Sequence, residues 1–415
     1  MQGPAVDERT WWSRPGLEVR GGLLFIAGRD AEALARAHGT PTFVYDLLRI
    51  EEQATALRDA LAGAGLDGLV RLALKAQRDA QVLSFLRERC SWVGVDVCSP
   101  GEVEWALRHG WRADDISYTG TNVSERDLDV ILGAGVHVNV DLLSQLERVG
   151  RRAPGLALGL RVNPRIGAAY RGAEQTKYAG GRPTKFGLYA EQLPQALEVA
   201  AAHELTIDTV HFHVGDGYLT DGLPVFDETV RRVAVMTRTL LDAGCPIREV
   251  NTGGGLGVAH EAGDGVLDVE RWAAILAEHL GPLGVVVAIE PGDFLVKESG
   301  VLLAEVVSVE EREGRLFAGL DTGWNQACEH FVYGDRLEVV ACHAADAEPV
   351  REVTVAGHIN EGDDLFAEDR PMPALAEGDV VAILGVGSYN ASMWSEHCLR
   401  PAAGSVAFAD REEPS

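Results

Sequence analysis

Lys75 is the residue whose position most suggests chemistry, because it directly follows the apolar run at residues 69–74. A lysine there either extends its aliphatic stem towards solvent or holds its amine in a pocket for covalent chemistry. Considered alone, an isolated lysine more often lies at a solvated edge. However, most other apolar runs of the chain also end in polar or glycine clusters. This repeated pattern favours the pocket.

Two further clusters could take part in such chemistry. Gly253, Gly254 and Gly255 follow a second apolar run, and three glycines leave backbone N–H groups bare for an anion such as phosphate. A tight turn is the alternative interpretation. Glu290 ends the last apolar run, and a buried carboxylate needs a partner. That partner is either a protonated heterocyclic nitrogen or a cation across the mouth of the site.

His211 and His213 form a third cluster at the end of another run. They lie on the same strand face, because side chains along a strand alternate with a period of two. Three interpretations are open: a metal-binding pair, a ring that packs on a cofactor, and a hydrogen-bonded core histidine. The chain offers no obvious third ligand, so no metal site is predicted.

The order of the elements predicts a scaffold that brings these residues together. From about residue 68, short apolar runs alternate with amphipathic helical stretches. The runs lie at residues 69–74, 92–96, 115–118, 136–140, 156–162, 207–213, 247–251 and 285–290. Eight such units predict an α/β fold with a parallel (β/α)8 TIM-like barrel rather than a doubly wound sheet. In that barrel the active site lies at the carboxyl ends of the strands.

The pattern changes after residue 295, where strand-like runs follow one another without long helices between them. These runs lie at residues 301–307, 316–320, 337–340, 353–356 and 380–384. They predict a second, all-β domain. The strand-like run at residues 23–27 suggests that the N-terminal segment joins it. We therefore assign residues 40–295 to the cofactor-binding barrel, and residues 1–39 and 296–415 to the β-domain.

Composition restricts the possible partners and compartment. Sixty-three acidic residues against 37 basic ones give a formal net charge of −26, which argues against binding to nucleic acid or an anionic membrane. The six cysteines have no CxxC or zinc-finger spacing, so we expect reduced thiols in a cytoplasmic protein. The sequence contains no apolar signal core and no apolar run of 18 residues.

A lysine amine, a phosphate site, a stacking histidine and a buried carboxylate are together what pyridoxal 5'-phosphate requires. Over nearly its whole length the chain resembles the barrel-type (fold type III) pyridoxal-phosphate decarboxylases, the diaminopimelate and ornithine decarboxylase family. The resemblance implies an alanine-racemase-like architecture of two domains. The matching residues are Ala73-x-Lys75-Ala76, Asp96 with Ser99 and Gly101-Glu102, Arg161-Val162-Asn163-Pro164, Lys185-Phe186-Gly187, His213, Gly253-Gly254-Gly255, Glu290 and Tyr389.

The resemblance also implies a role for each matched residue. Lys75 is the Schiff-base lysine, His213 stacks on the cofactor ring, and Glu290 keeps the pyridine nitrogen protonated. Gly253, Gly254 and Gly255 form the phosphate loop. Asp96 belongs to the cofactor site, and Tyr389 reaches the phosphate.

One departure from the family concerns the proton donor. The family has a Cys-Glu-Ser-Gly-Asp run that the second subunit of a homodimer contributes to a shared active site. Its cysteine protonates the substrate carbon after carbon dioxide leaves. Here Glu361 and Asp364 are kept, but Asn360 replaces the cysteine. An amide is not a practicable proton donor near neutral pH, so the proton must come from elsewhere, such as water or Lys75.

Other departures concern charge. Two arginines that hold the distal carboxylate of diaminopimelate in the family are replaced by Asp293 and Glu329, the latter four residues before the matched Tyr333. With Glu361 and Asp364, up to four carboxylates are expected to face one pocket, which favours a substrate with a cationic distal group. The alternative is that shifted loops leave these acids in water. A phosphate-contacting serine of the family is Asp216 here.

The leading interpretation is therefore a decarboxylase of an amino acid with a cationic distal group, in a specialised biosynthetic pathway. Diaminopimelate decarboxylase proper is one alternative. A siderophore-type decarboxylase is another, because the stretch at residues 179–187 resembles those enzymes. An amino-acid racemase of the same fold and a non-catalytic pyridoxal-phosphate carrier represent different functional classes.

Overall fold

The computed structural model describes residues 8–173, 176–180 and 182–412. Near the N-terminus, three short antiparallel strands and one helix precede a fully buried strand. These elements are β1 (Leu17–Arg20), β2 (Leu23–Ile26), β3 (Arg29–Asp30), α1 (Ala31–His38) and β4 (Thr42–Asp46). Apolar side chains of β2 and α1 pack against the second sheet described below, in a core that includes Leu24, Leu34, Val301 and Leu303.

Eight parallel strands then close into a barrel, as the sequence predicted. They are β5 (Gly68–Ala73), β6 (Gly94–Val97), β7 (Ile116–Thr119), β8 (His137–Val140), β9 (Ala157–Arg161), β10 (Thr206–His211), β11 (Glu249–Asn251) and β12 (Val286–Ile289). The last strand pairs in parallel with the first, with Ile289 opposite Val70. The strands are rich in buried β-branched and aliphatic residues, as expected for a parallel sheet that is covered on both faces.

Eight helices surround the barrel. They are α2 (Leu47–Gly63), α3 (Ala80–Arg89), α4 (Pro100–Arg108), α5 (Glu125–Ala134), α6 (Leu143–Arg152), α7 (Leu193–Ala202), α8 (Leu223–Asp242) and α9 (Val269–Leu280). Helix α5 begins with a capping box in which Ser124 and Asp127 satisfy each other's backbone N–H groups. Helix α8 buries Phe226, Val230 and Val233 on one face, and this helical spacing presents an apolar stripe to the barrel.

The remaining elements form the second domain. They are α10 (Asp293–Val296), β13 (Gly300–Arg312), β14 (Arg315–Leu320), α11 (Cys328–Tyr333), β15 (Val339–Ala341), β16 (Arg351–Ala356), β17 (Leu365–Met372), β18 (Val380–Leu384) and β19 (Gly404–Phe408). The strand order β15-β18-β13-β14-β16-β17 confirms the predicted β-domain. Strands β17 and β19 were not predicted. The first contains two acids, an arginine and a proline, and the second is short and begins with glycine and serine.

Strand β4 connects the two parts of the chain. The sequence analysis drew its domain boundary at residue 40 and so assigned this strand to the barrel half. In the structure β4 pairs antiparallel with β13 and parallel with β19. All five of its residues are buried, so the strand shows no alternation that would have indicated its sheet.

None of the helices within the described ranges combines the length and hydrophobicity needed to cross a membrane.

Candidate functional site

A cavity lies at the carboxyl ends of the barrel strands, where the sequence analysis expected the active site. Its lining includes Lys75, Asp96, Cys98, Thr119, Arg161, His211, His213, Asp216, Gly254, Gly255, Glu290, Gly292, Asp293 and Tyr389. Most of the expected cofactor-binding residues are therefore brought to one place, although they come from six separate parts of the chain. The barrel explains this convergence, because parallel strands deliver their carboxyl ends to one face.

Lys75 lies in the turn that follows β5. Its Nζ atom is 5.8 Å from the centre of the Tyr178 ring. Burial alone would lower the pKa of the Lys75 amine, but Tyr178, Asp216, Cys98 and Asp96 raise that pKa above its ordinary value. In the chain alone the amine is therefore an ammonium that points into the cavity among acidic groups.

Glu290 follows β12 and is fixed by two hydrogen bonds. Its Oε2 atom lies 3.0 Å from Nε2 of His211, and its Oε1 atom accepts a hydrogen bond from Nδ2 of Asn251 at 2.5 Å. Burial alone would raise the pKa of Glu290, but His211, Arg71 and Asn251 lower it below its ordinary value. The carboxyl group is thus ionised in a site where it is only 6% exposed. His211 is the hydrogen-bonded core histidine among the three interpretations considered above.

The glycine loop lies between β11 and the mouth of the cavity. The N–H of Gly253 donates to Oδ1 of Asn251, whereas no described group accepts a hydrogen bond from the N–H of Gly254 or Gly255. A Cβ atom on Gly254 would lie 2.4 Å from the carbonyl oxygen of Glu290. Tight packing therefore requires glycine here, and the same packing leaves two N–H groups free to bind an anion.

His213 and Asp216 lie together on the loop that follows β10. The Nε2 atom of His213 is 3.3 Å from Oδ1 of Asp216, and its ring centroid is 4.5 Å from that of Tyr178. Burial lowers the pKa of His213, so the ring is neutral near pH 7. Burial alone would raise the pKa of Asp216, but His213 and Lys75 lower it below its ordinary value. The departure from serine thus places an ionised carboxylate in the cavity.

Asp96 is the last member of the expected cofactor site. Its side chain lies at the end of β6, and its Oδ1 atom is buried without a hydrogen-bond partner among the described residues. Burial and the neighbouring Glu290 raise the pKa of Asp96 well above its ordinary value. A buried polar atom of this kind normally has a partner, so its orphaned state indicates a group that binds in the cavity.

A second cavity continues from the first and contains the expected substrate-binding residues. Its lining is Lys75, Thr176, Tyr178, Asp216, Asp293, Glu329, Tyr333, Asp335 and Tyr389. Asp293 and Glu329 thus face the site rather than bulk water. The ring of Tyr333 packs edge-on against Tyr389, with centroids 6.4 Å apart. The close approach of Tyr389 is possible because residue 292 is glycine, where a Cβ atom would lie 2.7 Å from the Tyr389 hydroxyl.

The expectation of an uncompensated carboxylate cluster is wrong, because Lys297 lies among the acids. Its Nζ atom is 2.5 Å from Oε2 of Glu329 and 3.9 Å from Oδ1 of Asp293. Burial raises the pKa of Glu329 to about 8, although the ammonium of Lys297 opposes this effect. The sequence analysis missed Lys297, although its spacing of four residues from Asp293 is a recognisable signal for an ion pair.

The segment that replaces the family's cysteine run lies elsewhere on this chain. Asn360 and Glu361 are exposed, and Glu361 forms an ion pair with His397 at 2.7 Å. Asp364 is buried, and its carboxylate accepts hydrogen bonds from the backbone N–H groups of Trp324 and Ile359. None of these three expected site residues lines either cavity of its own subunit.

Several lining residues were not singled out from the sequence. They are Tyr178, Cys98 and Asp335; Asn251 and Lys297, which contact the lining residues Glu290 and Glu329 from outside the cavities, were not singled out either. Tyr178 and Asp335 lie in loops far from strand ends, where hydrophobic patterns carry no signal. The 179–187 stretch, which suggested a siderophore-type enzyme, begins next to Tyr178; its residue Gly181 lies outside the described residues.

The residues present fit pyridoxal phosphate. Lys75 would hold the cofactor covalently, the free N–H groups of Gly254 and Gly255 would bind its phosphate, and ionised Glu290 would hold a protonated ring nitrogen. The neutral ring of His213 is available to pack on the cofactor. When bound, the cofactor supplies an electron sink for the bond that breaks at the α-carbon of an amino acid. Asp216 takes the place of a phosphate-contacting serine of the family, and its negative charge opposes a phosphate.

Comparisons with known proteins agree with this cofactor. The family described as pyridoxal-dependent decarboxylase, pyridoxal binding domain, matches residues 47–297. The diaminopimelate decarboxylase of Methanothermobacter thermautotrophicus is 34% identical over 401 residues, which cover 94% of this chain and 92% of the relative. The diaminopimelate decarboxylase of Escherichia coli K12 is 32% identical over 393 residues, 89% of each chain.

A solved structure extends the similarity to the whole fold. The crystal structure of diaminopimelate decarboxylase from Helicobacter pylori, complexed with L-lysine, has a TM-score of 0.83 at 27% identity and covers 91% of this chain and 93% of that one. The match includes both domains, which confirms the predicted alanine-racemase-like architecture and the resemblance drawn from the motifs.

Proposed function

The chain belongs to the pyridoxal-dependent decarboxylases, carboxy-lyases that use pyridoxal phosphate, and on that premise we propose that it decarboxylates an amino acid with a cationic distal group. The assignment to a carboxy-lyase family argues against the racemase and the carrier protein considered above. The finer question is which substrate side chain the second cavity accepts.

The charge of that cavity supports a distal cation. Asp293, Glu329 and Asp335 line it, and Lys75, which is reserved for the cofactor, is the one basic side chain among the described residues of its lining. Lys297 lies outside the lining of this cavity and neutralises only the charge of Glu329, so carboxylates still outnumber cationic groups around the cavity. A distal carboxylate would lose its water shell beside like charges, which costs several kcal/mol, whereas a distal ammonium would gain partners.

Diaminopimelate decarboxylase proper is the second candidate, since relatives with that name are 32–34% identical over about nine-tenths of the chain. The family's two carboxylate-binding arginines are absent at Asp293 and Glu329, and this difference favours the first candidate. The siderophore-type alternative requires a polyanionic substrate, which the same acids disfavour.

We further propose a homodimer in which Asn360 and Glu361 complete the partner's site, while Asp364 fixes their loop by accepting hydrogen bonds from the backbone N–H groups of Trp324 and Ile359. Exposed apolar side chains support such an interface: Phe331 and Val332 are 40% and 52% exposed, and Leu399 is 88% exposed. Phe331 and Val332 directly precede Tyr333, which lines the second cavity. In this arrangement Asn360 binds through its amide and does not supply the proton, which comes from Lys75 or water.

The test is carbon dioxide release by the purified holoenzyme from L-lysine, L-ornithine, L-arginine and meso-diaminopimelate. We expect at least about 100-fold higher kcat/KM for one of the basic amino acids than for meso-diaminopimelate, equivalent to about 2.7 kcal/mol. Asp293→Arg with Glu329→Arg should shift the preference towards the distal carboxylate. Efficient decarboxylation of meso-diaminopimelate with no activity on the basic amino acids would instead establish the second candidate.

A further inference from the structure

Lys297 is unusual in this chain both in type and in position. Only four of the 37 basic residues are lysines, namely Lys75, Lys177, Lys185 and Lys297. The Lys297 side chain is 3% exposed, and it rises from the turn after α10 to an ammonium that faces Glu329 and Asp293. Lys297 is not among the residues that would hold the cofactor.

Lys297 is placed behind the substrate-facing wall rather than in it. Glu329 and Asp293 line the cavity that contains Lys75, whereas Lys297 lines a neighbouring cavity together with Trp12 and His260. A ligand in the substrate cavity would therefore contact the two carboxylates, and the ammonium would act on it only through them.

The other partners of the two carboxylates carry no charge. Asp293 Oδ1 accepts a hydrogen bond from the hydroxyl of Ser388 at 2.6 Å, and Glu329 Oε2 accepts one from the amide of Asn390 at 3.3 Å. The three charged groups therefore sum to minus one when both acids are ionised. Without Lys297 the sum would be minus two, and without the Glu329 carboxylate it would be zero.

We propose that Lys297 is an internal counter-ion that sets how much negative charge the cavity presents to the distal group of the substrate. It is thus a specificity-determining residue that the substrate does not touch. The inference rests on the proposed function, because it takes the second cavity as the place where the distal group binds.

Three amino acids of similar length but different distal charge provide the probes: L-lysine, L-norleucine and L-2-aminoadipate. Their dissociation constants from the holoenzyme are measured by titrating the change in cofactor absorbance, at a pH of about 9 so that Glu329 is ionised. The titratable groups around the pair are Asp293, Asp335, His260, Tyr333 and Tyr389. None of these groups is changed in any of the variants, so their charges cannot explain a difference between variants.

The variants change the charge sum in opposite directions. Lys297→Met should raise the preference for lysine over norleucine at least about tenfold. Glu329→Gln should lower that preference about tenfold and strengthen binding of 2-aminoadipate. The double variant restores the sum of minus one, so its preference should return to within about threefold of the wild type, as should that of Lys297→Arg.

The double variant and Glu329→Gln keep the test decisive if Lys297→Met fails to fold. Unchanged preferences in the folded single variants, or a double variant that does not return towards wild type, would overturn the proposal. The proposed function fails separately, if the wild type releases no carbon dioxide from any basic amino acid while the binding preferences still shift with charge.

Discussion

At a pH of about 9, where Glu329 is ionised, removing one member of the Lys297–Glu329 pair should destabilise the protein strongly. The other member is then left charged in a buried site. The two side chains are 3% and 2% exposed. At an effective dielectric constant of about 20, unit charges 2.5 Å apart interact by about 7 kcal/mol, and the 3.9 Å separation from Asp293 corresponds to about 4 kcal/mol. Removing a carboxylate also removes the free-energy cost of burying its charge, so the net loss in the free energy of unfolding is smaller than the Coulomb energy.

Loss of one partner of a buried pair typically costs about 3–5 kcal/mol. For Glu329→Gln we expect the lower end, about 3 kcal/mol, because Asp293 still faces the ammonium. For Lys297→Met we expect about 4 kcal/mol, because two carboxylates then remain together. The double variant should cost at least about 2 kcal/mol less than the sum of the single variants, since neither charge is left alone.

The assay is equilibrium unfolding in urea, followed by tryptophan fluorescence and far-UV circular dichroism. Free energies are compared only where the two transitions coincide, because a protein with two domains can unfold in steps. The Arg9–Glu348 pair provides a matched control: its separation is 2.6 Å, but its side chains are 39% and 82% exposed. Glu348→Gln should cost less than about 1 kcal/mol. Additive effects of Lys297→Met and Glu329→Gln, within about 0.5 kcal/mol, would refute the reasoning.

Three further outcomes are expected. Lys75→Ala should abolish the absorbance near ~420 nm and the borohydride-reducible cofactor linkage of the wild type, because the amine that holds the cofactor is gone; a surviving linkage would contradict this role. Mixing inactive Lys75→Ala with an inactive Glu361 variant should restore activity after subunit exchange, unless each subunit builds its site alone. Because the pKa of Glu290 is lowered, its stabilising effect is present above pH 4.5 and is lost as the pH falls towards about 2, by up to about 3 kcal/mol. Glu290→Gln should therefore show a shallower acid dependence of unfolding free energy over that range.

The barrel and the position of its site could be predicted because their signals are local. Eight apolar runs with helical stretches between them leave few other folds, and the last residue of each run must then lie at the same end of the barrel. Lys75, His213 and Glu290 were recognisable for that reason. The same pattern placed Asp96 at the end of its run, and motif resemblance assigned it to the cofactor site. Tyr389 came from the resemblance alone.

The charge balance of the substrate cavity could not be predicted in the same way. Asp293 and Lys297 are four residues apart, so their proximity is encoded locally. The main partner of Lys297, however, is Glu329 in α11, which follows β13 and β14 along the chain. Pairing between segments that far apart depends on tertiary packing, and the sequence carries no period for it. Strand β19 was missed for a related reason, because its strand character depends on pairing with β4.

The position of β4 has a consequence for the order of events during synthesis. Its partner β19 begins 404 − 46 = 358 residues after β4 ends. At about 5–20 residues per second, a ribosome needs about 20–70 s to supply it. The barrel strands are complete at residue 289, long before that. Strand β4 can pair with β13 once residue 312 is made, but its other edge stays unpaired until β19 follows, and a chain that stalls before residue 404 exposes that edge to other nascent chains.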